Sequence, residues 1–432
     1  LADGCEDQLY TLTPIRNGIE LAGAKDALYA AVTLRHLIVR EKGRTAIYPA
    51  KVTDWPDFPV RAISLSEPFL RRHLNNPEQY AKYTKPLIRR LLRLKINEIR
   101  GLPRRPQKSA FRLFSTGPLM NETDLNAMRA FRANAAECGM LCGQLEKFFS
   151  LGSKQDEQNP FFKNFNQKSR WGSSGHYHSW ARTDLYEKIA ARCHDFLKQS
   201  EWDILFVHGV DTGGTLDPEL WSHRDEPTRK RFGDDRAAAD AAVFMELYKA
   251  MKGTNTRRML AVVYPYCGYN FNADDVMRTE RLPQTAEGRK LAENLVQRES
   301  KFLKRLHSLL PKDDVSICLR EGNRHNMRLF TSHVPGRAVD IYWEACNVWR
   351  DVLPLVCPEL LSTGSGFEPE RNGRNYIWRT DGGAFHEPEN TAFAERAWNS
   401  CGEYYTDLDR SRNPLRYDPE ALRFLARRAA EG

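Results

Sequence analysis

Apolar and polar positions follow two periods along this chain, and the changes of period mark its elements. Residues 8–13 and 18–22 read as short strands, with Arg16-Asn17-Gly18 between them as a hairpin signal. Residues 24–40 predict an amphipathic helix, with Leu28, Ala31, Val32, Leu34, Leu37 and Ile38 on its apolar side. A short strand around Ala46-Ile47-Tyr48 leads into Val52-Thr53-Asp54-Trp55-Pro56-Asp57-Phe58-Pro59. Its two closely spaced prolines predict a rigid connector. The pattern therefore divides the chain into a small α/β unit over 1–57 and a larger unit over 58–432.

In the larger unit strand and helix patterns alternate. Strand-like runs fall near 60–65, 96–102, 140–150, 203–210, 259–266, 314–319, 338–343 and 375–380. Helical patterns lie between them at 78–94, 124–138, 184–199, 235–252, 286–310 and 347–356. Strands separated mostly by helices predict an α/β fold of (β/α)8 TIM-barrel type, ending in a helical extension. Residues 151–183, with Phe161, Phe162, Phe165, Trp171, Tyr177 and Trp180 among Gly, Ser and Asn, read as a long loop. It follows the third barrel strand, on the face where such loops build active sites.

Composition narrows the classes. The chain is 41% hydrophobic and 28% charged, which suits a globular protein. No apolar run approaches the roughly 18 residues of a membrane span. Net charge is +9, with basic residues gathered at 89–112 and 410–428. These read first as solvated helix faces, and second as a surface for an acidic glycan or nucleic acid. The nine cysteines are scattered, and Cys138-x-x-x-Cys142 lacks the partner pair of a structural zinc site. Cys267, Cys318 and Cys346 fall on or beside strands as small hydrophobes. No disulfide framework is predicted, and the compartment stays open. The chain starts at Leu1 without a charged-then-apolar leader, so it reads as cut from something longer.

Residues 202–214, WDILFVHGVDTGG, are the most informative stretch. The apolar run Ile204-Leu205-Phe206-Val207 predicts a buried parallel strand whose C-terminal end delivers polar groups to a cleft. Asp211 is the first catalytic candidate. Its bland alternative is a cap on the following turn.

Two ordered segments carry a family resemblance. The helix Ala27-Leu28-Tyr29-Ala30-Ala31-Val32-Thr33-Leu34-Arg35-His36-Leu37-Ile38 is followed by Thr53-Asp54-Trp55-Pro56-Asp57-Phe58-Pro59-Val60-Arg61-Ala62. In order and spacing these resemble the β-N-acetylhexosaminidases of glycoside hydrolase family 20, and more distantly the family 84 O-GlcNAcases. Lys95-Ile96-Asn97 resembles that family's second barrel strand. Phe206-Val207-His208-Gly209-Val210-Asp211-Thr212 resembles its fourth, which ends in an Asp-Glu pair. The resemblance implies that Asp211 orients a substrate acetamido group and that Arg61 holds sugar hydroxyls, with His208 and Thr212 beside the substrate. It also leans toward a secreted or periplasmic setting. Two departures stand out: Thr212 occupies the place of the family's general-acid Glu, and Ser64 and Ser66 stand where it has a first-strand Asp. A threonine hydroxyl is too weak an acid for that work near neutral pH.

Glycoside hydrolysis usually needs two carboxyl groups, so the second is sought at other strand ends. Glu344 follows Ala338-Val339-Asp340-Ile341-Tyr342-Trp343 and ranks first. Asp381 follows Tyr376-Ile377-Trp378-Arg379-Thr380, and Glu321 ends the sixth strand. For each the alternative is a salt bridge at the barrel rim. Tyr264, Tyr266 and Tyr269 after the fifth strand, with Trp343 and Trp378 on the last two, offer faces for a pyranose or simply core. For Arg61 the alternative is a structural ion pair at the barrel bottom. His176-x-His178 with His208-x-x-Asp211 could bind a metal, but such spacings arise by chance among eleven histidines, so neither metal nor cofactor is expected. No phosphate loop and no G-x-S-x-G elbow is present.

Three readings remain side by side. The first is a glycosidase acting on an N-acetylhexosaminide or related glycan. The second is a catalytically silent carbohydrate-binding barrel, and the third a barrel hydrolase of other chemistry. A glycan is the expected partner, rather than nucleic acid or membrane. Oligomeric state is left open.

Overall fold

Val60–Ser64, the first strand after the two prolines, opens a sheet of parallel strands that curls back on itself. The structure is a computed structural model describing residues 6–23, 27–41, 43–47, 51–56, 59–64, 76–100, 122–147, 179–208, 219–222, 224–263, 268–320, 324–343 and 375–379. Five short strands precede the curled sheet: β1 (Tyr10–Ile15), β2 (Gly18–Gly23), β3 (Ile38–Glu41), β4 (Arg44–Ile47) and β5 (Val52–Asp54). The sheet itself holds β6 (Val60–Ser64), β7 (Glu98–Arg100), β8 (Leu141–Lys147), β9 (Ile204–His208), β10 (Arg258–Val262), β11 (Val315–Arg320), β12 (Val339–Trp343) and β13 (Asn375–Arg379). They run parallel in the order β10-β11-β12-β13-β6-β7-β8-β9, and β9 pairs with β10 to close the ring.

One bond fixes which face of each strand points inward. Arg258 on β10 donates to Glu98 on β7 at 2.8 Å, although β8 and β9 stand between those strands. The contact must cross the interior. By the two-residue period of a strand, Ala62, Leu260, Ser316, Cys318 and Asp340 share that inner face through their registers. The alternate positions, among them Ile63, Ile99, Cys142, Leu205, Val207, Met259, Ile317 and Val339, join the core beneath the helices. Gly143 faces inward, where a Cβ would stand 2.9 Å from the Ile204 Cβ.

Amphipathic helices cover the outside. They are α1 (Leu28–His36) in the small module, then α2 (Pro77–Arg93), α3 (Glu122–Ala136), α4 (Thr183–Ser200), α5 (Glu219–Ser222), α6 (Glu226–Phe232), α7 (Arg236–Met251), α8 (Ala273–Thr279), α9 (Ala286–Leu309) and α10 (Arg324–His333). On α4 the buried set Leu185, Ile189, Cys193, Phe196 and Leu197 traces one stripe. Asn76 caps α2 through Gln79 N, and Asp235 caps α7 through Ala238 N. Among the described residues, helices follow the six strands β6 to β11; the segments after β12 and β13, including the expected helix at 347–356, lie outside them. The architecture seen is mixed α/β, a curled parallel sheet with an outer layer of helices.

Two expectations in the small module are corrected. The helix expected over 24–40 ends at His36, because Ile38-Val39-Arg40-Glu41 pairs antiparallel with β4. β-branched residues favour that strand, and Gly43 makes its turn at φ +78°. The connector also contains a strand, β5, which pairs with β1 and completes the sheet β2-β1-β5. Tyr10, Leu12, Tyr29 and Ala30 form its core.

Candidate functional site

The run from Trp202 to His208 is held at its start and aimed by its neighbours. Trp202 is buried against Phe196 at 5.7 Å between ring centroids. Asp203 accepts from Cys142 N at 3.0 Å and from Arg132 at 3.0 Å, and that carboxylate raises the Arg132 guanidinium pKa against the pull of burial. Beyond it β9 is paired on both sides, Val207 with Ala261 and Glu146, His208 with Val262 and Lys147. The chain therefore brings His208 to the C-terminal rim of the sheet. In helix-covered parallel sheets ligands gather at the carboxyl ends of the strands.

Most of the expected site falls on residues that the structure does not describe. Asp211, Thr212, Tyr264, Tyr266, Glu321, Glu344 and Asp381 lie outside the described residues, as do the side chains of His208, Tyr269, Trp343 and Trp378. The backbone register pairs Trp343 with Trp378, and Trp378 with Ile63. His176 and His178 also lie outside, and among the described residues no group of three His, Cys, Asp or Glu side chains converges on a metal position.

Arg61 is the one expected binding residue whose side chain is seen, and it is somewhere else. It shares the outward register of Ile63 and is fully buried. Its Nε donates to Lys95 O at 2.7 Å and its guanidinium to Gln8 Oε1 at 2.8 Å, while Tyr29 lies 5.3 Å beneath it. These groups belong to the small module and to the N-terminal end of the sheet. The expectation that Arg61 holds sugar hydroxyls at a cleft floor is corrected: it fastens the two units together. Lys95 works beside it, donating to Tyr10 OH at 2.8 Å and to Asp54 at 2.9 Å.

The sequence reading missed a charge cluster inside the sheet. Arg258 bonds Glu98 at 2.8 Å and Asp340 at 3.1 Å, and Ser316 Oγ donates to Asp340 at 3.1 Å. Both carboxylates are fully buried. Burial alone would lower the Arg258 pKa, and Asp340 and Glu98 overcome that and raise it. Arg258 and Glu98 are the first residues of their strands, so the cluster sits at the N-terminal end, away from His208. With a guanidinium shared between its carboxylates it is built to hold strands, not to exchange protons. The only trace in the sequence was a charged residue at alternate positions of otherwise apolar runs.

The described cysteines Cys138, Cys142, Cys193 and Cys318 are not joined in disulfides. Cys142 is fully buried, and desolvation raises its pKa, which keeps it protonated and unreactive.

No protein-family model matches the sequence, and no curated protein matches it. Solved structures do. A β-N-acetylhexosaminidase shares 15% identity with a TM-score of 0.57, over 99% of this chain and 87% of its own. The family 20 exo-β-N-acetylglucosaminidase of Vibrio harveyi, solved with N-acetylglucosamine, matches at 12% identity and TM-score 0.58, over 100% of this chain and 67% of its own. The chain shares its fold with the family 20 β-N-acetylhexosaminidases. The protein named CpGH84B is also similar, at 13% identity and TM-score 0.55, and this chain, 93% of it matched, spans 59% of that protein's length. At such identity the likeness is one of fold, in agreement with the resemblance read from residues 27–38 and 53–62.

Proposed function

We propose that this chain is a glycoside hydrolase of hexosaminidase type, with its site at the C-terminal rim of a complete (β/α)8 barrel spanning 58–432. Residues 1–57 form the small α/β domain, and a helical extension closes the chain. The observation that carries the reading is His208 at the C-terminal end of β9, three residues before Asp211, in a curled parallel sheet whose fold is similar to that of a β-N-acetylhexosaminidase.

In this reading Asp211 holds the substrate acetamido group so that its oxygen attacks the anomeric carbon. Glu344, directly after β12, protonates the departing oxygen, and Asp381, two residues after β13, is the alternative acid. The family's acid position is Thr212, so the acid comes from another strand. Tyr264, Tyr266, Trp343 and Trp378 supply sugar-facing rings, and His208 and Thr212 border the substrate. The substrate is an N-acetylhexosaminide or related glycan, with no metal or cofactor in the reaction.

Hydrolysis of a nitrophenyl N-acetyl-β-glucosaminide tests this. Asp211→Asn keeps the shape but removes the charge, and is expected to lower kcat by at least about 10²-fold, the scale of a lost catalytic carboxylate. Unchanged turnover in a folded Asp211→Asn variant would remove Asp211 from the mechanism. The silent-barrel reading retains one support, Thr212 itself, and predicts sugar binding without turnover.

A further inference from the structure

We propose that a cavity on the outer helical layer is a second binding site, for a sugar that carries a carboxylate or sulfate. The cavity, about 970 Å³, lies between the N-terminus of α7 and the second half of α9, with Trp221 of α5 at its edge. It is large enough for a disaccharide, since small-ligand sites run from about 300 to 1,000 Å³. None of its lining residues belongs to a barrel strand, which separates it from the rim beyond His208.

Charge defines the first half of the ligand. The acidic groups in the wall are already engaged: Asp235 with Arg305 at 3.2 Å, Asp234 with Arg224 at 2.7 Å, and Glu299 with Arg298 at 2.7 Å. Lys301 and Lys304 also line the cavity, are exposed, and have no carboxylate within ion-pair distance among the described residues. Two ammonium groups facing one concavity repel each other until an anion enters.

The aromatic wall defines the second half. Trp221 is fixed by Trp180, edge-on at 5.6 Å, and by Arg224 at 4.5 Å. Phe302 is capped by Arg236 at 4.2 Å. Glu299 Oε2 is buried behind the wall, 4.0 Å from Arg236. A ligand with an apolar face and one negative group meets both demands. That the anion is a sugar rests on the glycan reading of the barrel; that it is an anion rests on Lys301 and Lys304.

Calorimetric titration of the full chain tests the site with four probes: a glucuronate–N-acetylglucosamine disaccharide, N-acetylglucosamine 6-sulfate, neutral N-acetylglucosamine and inorganic sulfate. At least one acidic sugar should bind more tightly than the last two, and added salt should weaken it. Lys301→Ala/Lys304→Ala, at exposed positions and checked for an unchanged Tm, should weaken that binding about tenfold. Asp211→Asn should leave it intact. Acidic sugars binding no better than the neutral sugar and inorganic sulfate would overturn the proposal. So would binding that survives the double lysine change. Acidic-sugar binding in a protein that hydrolyses no glycoside would sink only the catalytic reading of the rim.

Discussion

Arg258 holds two carboxylates that lie 160 and 82 positions away in the chain. No local pattern announces such a contact, because each residue looks like an isolated charge within an apolar run. Removing the cation leaves both carboxylates buried with the field that stabilised them gone. Arg258→Met is therefore expected to destabilise the fold by roughly 3–5 kcal/mol, read as a fall in the urea midpoint. Adding Glu98→Gln and Asp340→Asn to it should recover most of that loss. A single variant within about 0.5 kcal/mol of native, the range of surface changes, would show that the cluster carries no structural load. Arg61 teaches the complementary lesson. In Val60-Arg61-Ala62-Ile63-Ser64 the sequence shows alternation but not which parity faces inward; only the bond across the interior decides it.

Among the elements, long amphipathic helices and buried strands were the most legible. α4, α7 and α9 fall within a few residues of their expected spans, since each repeats its apolar stripe over four turns or more. The β3–β4 hairpin was hidden because Leu37 and Ile38 extend the helical stripe of α1 past its real end. β5 was hidden because prolines dominate its surroundings, while its pairing with β1 is a contact over 40 residues.

The end of α9 shows how one element depends on a distant residue. Arg337 donates to the carbonyls of His307 at 2.9 Å and Leu310 at 2.7 Å, and its Nε donates to His307 Nδ1 at 2.9 Å. That last bond requires a neutral imidazole. Burial, then Arg337, then Lys312 hold the His307 pKa below its ordinary value. A histidine whose folded pKa is depressed contributes stability above its unfolded pKa of about 6.5 and loses it as pH falls through the folded value. Tm should therefore fall on acidification from neutral pH through the region below 6.5, and His307→Gln should flatten that part of the profile. An identical slope in the variant would place the acid sensitivity elsewhere.

For the molecule as a whole, sequence and structure agree on a mixed α/β architecture, a sheet of parallel strands wrapped by helices. The seam between the two units is made by Gln8, Tyr10 and Asp54 on one side and Arg61 and Lys95 on the other. Lys95 adopts a left-handed backbone at φ +55°, a conformation that costs energy for a side chain of this kind and is maintained by that network. The candidate site was legible only as positions after strand ends. Which carboxylate would act with Asp211 is a question of tertiary placement, and strand periodicity carries no information about that.

The central claim is that the rim beyond His208 hydrolyses N-acetylhexosaminides with an acid that is not at position 212. Turnover of paired aryl glycosides, with and without the N-acetyl group and with good and poor leaving groups, tests it most directly in the native chain and in Thr212→Glu. The account predicts turnover by the native chain that requires the N-acetyl group and extends to poor leaving groups, with no gain from Thr212→Glu. Absence of turnover on every glycoside, or activity on poor leaving groups that appears only in Thr212→Glu, would contradict it.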